Sequence, residues 1–142
     1  MKIFLDTSSL VKLYHSETGT IELDQIFAEN AIHEIFLAEI TKIEFASAIW
    51  KKVRTKDLTP DEAADLMSSF ENDYEKFSFI AMSSKLVVLA RDLVAKYGLK
   101  GLRTLDSIQL ASVLNVKSDL SSAITADDLL KSLFTIEGLK TR

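Results

Sequence analysis

The sequence predicts an α/β fold, a three-layer sandwich with a mainly parallel central sheet and helices on both faces. Three observations lead there. Short apolar runs alternate with longer stretches of helical periodicity, the pattern of repeated strand–helix–strand units. The first run, Ile3-Phe4-Leu5, is apolar without alternation, as expected of a strand covered on both sides. Helix-start residues follow the strands directly, so each strand leads into a crossover rather than a hairpin. At 142 residues the chain is predicted to form one domain, residues 1–142.

Taken in order, the first strand ends at Asp6, and Thr7, Ser8 and Ser9 lead into a helix through Leu10–Tyr14. Ser16 and Gly19 break it. Residues Thr20–Asn30 carry Ile21, Ile26 and Phe27 at helical spacing, and Glu34–Ala38 is a second strand. Thr41–Lys52 is a helix, with Ile43, Ala46, Ile49, Trp50 and Val53 at steps of three and four. Thr59-Pro60-Asp61-Glu62 is the clearest helix start: a hydroxyl N-cap, proline in the first turn, then acids that suit the dipole. That helix is predicted to run to about Lys76. Phe77–Ala81 is read as a short strand, and Ser84–Tyr97 as a helix ended by Gly98. Phe70, Phe77 and Phe79 are placed in the core, and the helices at 60–76 and 84–97 are candidates for a projecting hairpin. Thr104–Asn115 is a helix, with Leu105 at or near the core. Ser122–Thr125 is a strand, Ala126–Leu133 a short helix, and Phe134–Ile136 a last strand.

Composition removes several function classes. There is no cysteine, which excludes disulfides, thiolate zinc sites and cysteine nucleophiles. His15 and His33 are the only histidines, too few for a histidine-rich metal site; His15 is read as a surface residue, and His33 is assigned no partner. No apolar run approaches about 18 residues, so no membrane span is expected. The start lacks the pattern of a signal peptide. With no disulfide to form, a cytoplasmic location is expected. The net charge of −4 argues against a protein that coats nucleic acid indiscriminately, while leaving room for a local basic patch.

The acids carry the chemistry. Asp6 ends the first strand, Glu44 and Asp106 stand in the first turns of their helices, and Asp127 follows the late strand. Each has a structural explanation of its own. Asp6 suits an N-cap, Thr41-Lys-Ile-Glu44 matches a capping box, and Asp106 and Asp127 are favoured by helix dipoles. In a parallel sheet, however, strand C-termini and the following helix N-termini share one edge, where ligands of open α/β sheets collect. Carboxylates converging there repel one another unless protonated or neutralised. A hard divalent cation removes the conflict, and Mg²⁺ or Mn²⁺ prefers oxygen ligands. Such an ion activates water and stabilises charge on a phosphate.

Met-Lys-Ile-Phe-Leu-Asp6-Thr-Ser-Ser-Leu resembles the opening of the PIN-domain nucleases. Glu44-Phe-Ala-Ser-Ala, Leu102-Arg-Thr-Leu-Asp106-Ser-Ile-Gln-Leu-Ala111 and Ala123-Ile-Thr125-Ala-Asp127 resemble its other acidic blocks, in the same order. Over nearly its full length the chain resembles the VapC-type toxins of toxin–antitoxin pairs. The resemblance implies a Mg²⁺- or Mn²⁺-dependent endoribonuclease with Asp6, Glu44, Asp106 and Asp127 as catalytic and metal-holding residues. Thr7, Ser8 and Thr125 are implied to support the site. Asp128, beside Asp127, competes with it for the fourth acidic position, and Thr-Ala-Asp favours Asp127. Gln109 stands where many relatives have histidine, and is discounted as a ligand. The resemblance also implies products with 5′-phosphate and 3′-hydroxyl ends, a homodimer, and a small antitoxin that lays a C-terminal segment over the site.

Other residues are weighed individually. Arg103 and Lys12 are candidate RNA contacts, and Arg103 could equally neutralise the acids. Lys51, Lys52 and Arg54 close a helix, where the dipole favours cations in any case. Trp50 and Phe45 could stack on bases, although Trp50 sits on the apolar stripe. Two rival functions compete with the nuclease reading. A phosphatase or receiver domain with Asp6 as nucleophile or phosphate acceptor lacks the expected companions, since Ser8 stands where the phosphatases need an acid. A catalytically inactive binding module would have no use for the acidic set.

Overall fold

The computed structural model describes residues 1–142. Its sheet has the strands β1 (Lys2–Leu5), β2 (Glu34–Ala38), β3 (Ser78–Ile80) and β4 (Ser122–Ile124), all parallel, in the order β3-β2-β1-β4. The helices are α1 (Thr7–Tyr14), α2 (Thr20–Glu29), α3 (Thr41–Arg54), α4 (Pro60–Asn72), α5 (Ser84–Tyr97), α6 (Thr104–Asn115) and α7 (Asp128–Ile136). No helix is long and apolar enough to cross a membrane.

Strand alternation divides the interior in two. Ile3, Leu5, Leu37 and Ile124 point to a core shared with α1, α2, α3 and α4. Phe4, Ala38, Ile80 and Ala123 point the other way, to a core shared with α5, α6 and α7. The sheet is thus covered on both faces, which is why β1 is apolar at every position after Lys2. On the first face Tyr14, Phe45 and Phe70 stack with ring centroids 4.5–5.6 Å apart. They fix α1, α3 and α4 to one another. Phe45 is fully buried in this stack, so it has no surface for a nucleic-acid base.

The strand order matters for function. The chain moves from β1 to β2 to β3 in one direction, then crosses to the opposite side of β1 to form β4. The reversal lies between β1 and β4, and crevices beyond strand C-termini form at such a point. Leu5 pairs with Ile124 there, and the Asp6 N–H donates to the Ile124 carbonyl at 3.2 Å.

Several local expectations are corrected. Residues 134–136 form the last turn of α7, not a strand; Leu130, Leu133 and Phe134 fall on one buried helical face. The helix begun at Pro60 ends at Asn72, and Tyr74–Lys76 is a separate 3-10 turn. The helix Ser84–Tyr97 is ended by Gly98 as expected, with Gly98 as a right-handed C-cap, and the left-handed position is Gly101, at φ 105°. Helices α4 and α5 form no hairpin: they lie on opposite faces, where α4 packs on α3 and α5 on α6. Ile43, Leu105 and Ile21 are exposed, as is Trp50 in part, so the buried stripe of α3 runs through Thr41, Phe45 and Ile49 instead. His33, expected to lack a partner, lies 2.7 Å from the N-terminal amine through Nδ1.

Candidate active site

Asp6 leaves β1 in extended conformation and caps α1. Its Oδ1 accepts the Ser9 N–H at 2.9 Å, and its Oδ2 accepts the Thr125 hydroxyl at 2.6 Å. The Ser8 hydroxyl lies 2.8 and 2.9 Å from the two oxygens. A carboxylate offers about four lone pairs. Ser8 has a single proton to give, so one acceptor site on Asp6 stays free. The same hydroxyls tie the neighbouring turn in place. Thr125 Oγ1 accepts the Asp127 N–H at 3.0 Å, and Ser8 Oγ accepts the Ala126 N–H at 3.1 Å. The turns after β1 and β4 are therefore laced together at the switch point.

Asp127 caps α7, its Oδ1 accepting the Leu130 N–H at 2.7 Å. Asp106 lies in the first turn of α6 without capping it. Glu44 lies in the first turn of α3, but not as the partner of a capping box. The N-cap of α3 is Ile40, and the Thr41 hydroxyl faces inward. Thr41 Oγ1 takes a hydrogen bond from Gln109 Nε2 at 3.0 Å, a tertiary contact that outcompetes the local motif. Glu44, Asp106 and Asp127 line one hollow of about 470 Å³ together with Arg103, Thr104 and Leu105. Glu44 and Leu105 also line an adjoining groove of about 580 Å³ that leads past Thr7 and Ser8 to Lys51 and Arg54.

The electrostatics are unbalanced. Burial pushes the Asp6 carboxyl above its usual range, against the lowering effect of Thr125, Ser9 and Ser8. Burial does the same to Glu44, opposed by Gln109 and Thr7 and reinforced by the charges of Asp106 and Asp6. Asp106 is raised by burial and then by Asp127 and Asp6, with Arg103 pulling the other way. Every ion pair in the molecule lies elsewhere, and none includes Asp6, Glu44, Asp106 or Asp127. An all-oxygen donor set with a charge deficit fits a hard divalent cation. The side chains do not form a closed cage: no group of three or more His, Cys, Asp or Glu residues is drawn together tightly enough to enclose an ion.

A family model described as "PIN domain" matches residues 3–133. The chain belongs to the PIN domain family. No curated protein matches the sequence significantly. Among solved structures, the chain is similar to Mycobacterium tuberculosis VapC20, described as a sarcin-ricin loop cleaving toxin. The two share 12% identity at TM-score 0.71, over 96% of this chain and 95% of that one. It is also similar to VapBC2 of Rickettsia felis, solved with a DNA fragment from its promoter (15% identity, TM-score 0.64, 100% and 98% covered). A toxin–antitoxin complex from Klebsiella pneumoniae aligns at 18% identity and TM-score 0.62, over 88% and 86%. At these identities the likeness is one of fold.

Within this PIN domain the remaining candidates separate by position. Asp128 opens α7 on the exposed side and lines a different hollow with Lys12 and Lys131; Asp127 alone of the two faces Asp106. Arg103 stands at the hollow's edge, exposed and outside ion-pair distance of any acid, so it moderates Asp106 without neutralising it. Lys12 lines hollows other than the acidic one, its side chain turned toward Gly19. Lys52 pairs with Glu17 at 2.7 Å, whereas Lys51 and Arg54 have no such partner and line the groove. His15 is part-exposed and absent from the acidic hollow.

Gln109, discounted as a ligand, also belongs to the site. Gln109 lies one helical turn beyond Asp106 and is buried beneath the acids. Its Nε2 reaches Glu44 Oε1 at 2.7 Å, Thr41 Oγ1 at 3.0 Å and Thr7 Oγ1 at 3.1 Å. The sequence does hold a signal for it: an amide flanked by Ile108, Leu110 and Ala111, in a helix with no clear polar face.

Proposed function

We propose that the chain is a divalent-metal-dependent endoribonuclease and the toxin of a toxin–antitoxin pair. The observation that carries this reading is the set of acids at the β1–β4 switch point, brought from separate segments and matched by no cation. Membership of the PIN domain family, and likeness in fold to VapC-type toxins, support it.

Asp6, Asp106 and Asp127 would hold the ion, with Glu44 as a further ligand or as the group that orients water. When bound, a divalent cation supplies positive charge for the phosphate oxygens and makes water a better nucleophile near neutral pH. The protein's own part is orientation. Ser9, Ser8 and Thr125 fix the Asp6 carboxylate, and the two laced turns fix Asp127 beside it. The N-terminus of α6, which no side chain caps, opens onto the same edge and leaves backbone N–H groups that favour an anionic phosphate. Lys51 and Arg54 offer cations to an RNA strand along the groove.

The fold reading extends to one domain over residues 1–142, a cytoplasmic location, a homodimer and a cognate antitoxin whose basic side chain would enter the acidic hollow. Asp6 as a covalent nucleophile is disfavoured: its side chain accepts hydrogen bonds from three residues, and Ser8 occupies the place of a second acid.

The test uses purified protein freed of antitoxin. RNA cleavage is expected with Mg²⁺ or Mn²⁺, lost with EDTA, and restored by excess metal, with 5′-phosphate and 3′-hydroxyl products. Undiminished cleavage in EDTA would overturn the reading. Asp127→Asn is expected to lower the rate by about tenfold or more, and Asp128→Asn to leave it within about twofold. Asparagine caps a helix as well as aspartate does. A loss in Asp127→Asn therefore reports on the site rather than on α7, and equal losses in both variants would count against the assignment.

A further inference from the structure

We propose that Gln109 is a positioning residue for Glu44, holding one carboxylate oxygen so that only the other faces the acidic hollow. The inference rests on the ribonuclease reading of the same site. Gln109 is 2% exposed. Its Nε2 has two protons for three acceptors, and the shortest contact, 2.7 Å, is to the charged one, Glu44 Oε1. The Thr7 hydroxyl lies 3.2 Å from the same oxygen, while Glu44 Oε2 accepts no hydrogen bond from the protein. Turning the amide over would set the Gln109 carbonyl against a carboxylate, so Glu44 dictates its orientation.

The other end of Gln109 makes no matching contact with the protein. Its Oε1 is buried and has no hydrogen-bond partner. An unpaired buried carbonyl is unfavourable, and an apolar side chain of similar size would leave no such atom. Thr7 and Thr41 would remain within reach of each other at 3.3 Å. What the apolar side chain would lack is the N–H that fixes Glu44. Groups that orient a ligating carboxylate typically govern 10–100-fold in activity.

Three variants test this, read by kinetics and by the Glu44 conformers in crystals. Gln109→Leu is expected to lower kcat by about 10–100-fold with KM for RNA unchanged. Gln109→His, whose ring N–H can reach the same oxygen, should restore most of the rate. Gln109→Ala should resemble Gln109→Leu in kcat. In metal-free crystals, Glu44 should hold one conformer in the parent and depart from it in Gln109→Leu. The inference is overturned if Gln109→Leu keeps kcat within about twofold with Glu44 in place, or if Gln109→His fails to restore a lost rate. If the parent protein cleaves no RNA, the ribonuclease reading fails instead, and the Glu44 conformers alone decide the positioning claim.

Discussion

Asp6→Asn should lower Mg²⁺-dependent RNA cleavage by at least about 100-fold, which corresponds to losing about 2.7 kcal/mol of transition-state stabilisation. The fold should survive. Asparagine and aspartate are equivalent N-caps. The asparagine oxygen can take the Ser9 N–H, and the hydroxyls of Ser8 and Thr125 can rotate to accept from its amide. The variant also removes a buried ionisable group whose charged form burial disfavours. In metal-free buffer its melting temperature should therefore equal or exceed that of the parent, while the stabilisation given by Mg²⁺ disappears. Activity and stability moving apart in this way is what distinguishes a metal-holding Asp6 from a helix cap. Cleavage at the parental rate would remove Asp6 from the site.

The second large effect is a link between pH, metal and stability. Asp6, Glu44 and Asp106 have folded-state pKa values above those of the unfolded chain. Between the ordinary carboxylate range and these raised values, the folded protein retains protons that the unfolded chain has released. Stability then falls as pH rises through that window. The contribution of these three groups is complete below the ordinary range and is lost above their folded values. Glu34, Glu62, Asp73 and Glu137 are shifted down by hydrogen bonds and neighbouring cations, so their contribution is lost on acidification instead. The metal-free protein should be most stable in mildly acidic solution. Mg²⁺ takes the place of the missing protons, so its effect should be larger at about pH 7.5 than at about pH 5. At a hundred times the dissociation constant a ligand adds about 2.7 kcal/mol, on the order of 5–10 °C in Tm for a chain of this size. Thermal melts at both pH values, with and without Mg²⁺, check this. An equal shift at both, or none at neutral pH, would contradict it.

Local physics made most of this architecture legible. The unbroken apolar run of β1 demanded cover on both faces. The Thr59–Glu62 start is a true capping box, with Thr59 Oγ1 accepting the Glu62 N–H and Glu62 Oε1 accepting the Thr59 N–H. Two causes account for the differences: tertiary contacts that override local signals, and short apolar runs whose periodicity is ambiguous. Thr41 and Glu44 have the spacing of a capping box, but Gln109 and Thr7 claim both side chains from across the core. Phe134–Ile136 has the composition of a strand, and a short apolar run cannot be told from a helix by periodicity. The buried stripe of α3 differs from the expected one because Phe45, a candidate for base stacking, anchors the aromatic core, while Ile43 lies outside it. The acids could be ordered from the sequence, but their convergence depends on β4 returning beside β1, which no local pattern records. Gln109 is hard to read for a related reason: its contacts come from two other helices.

Manganese located by anomalous scattering tests the central claim most directly. In crystals grown with Mn²⁺, the account predicts a peak beyond the C-termini of β1 and β4, contacted by Asp6, Asp106 or Asp127, directly or through water, with Glu44 alongside. No peak there in Mn²⁺-grown crystals, or Mn²⁺ bound only at acids elsewhere on the surface, would contradict it.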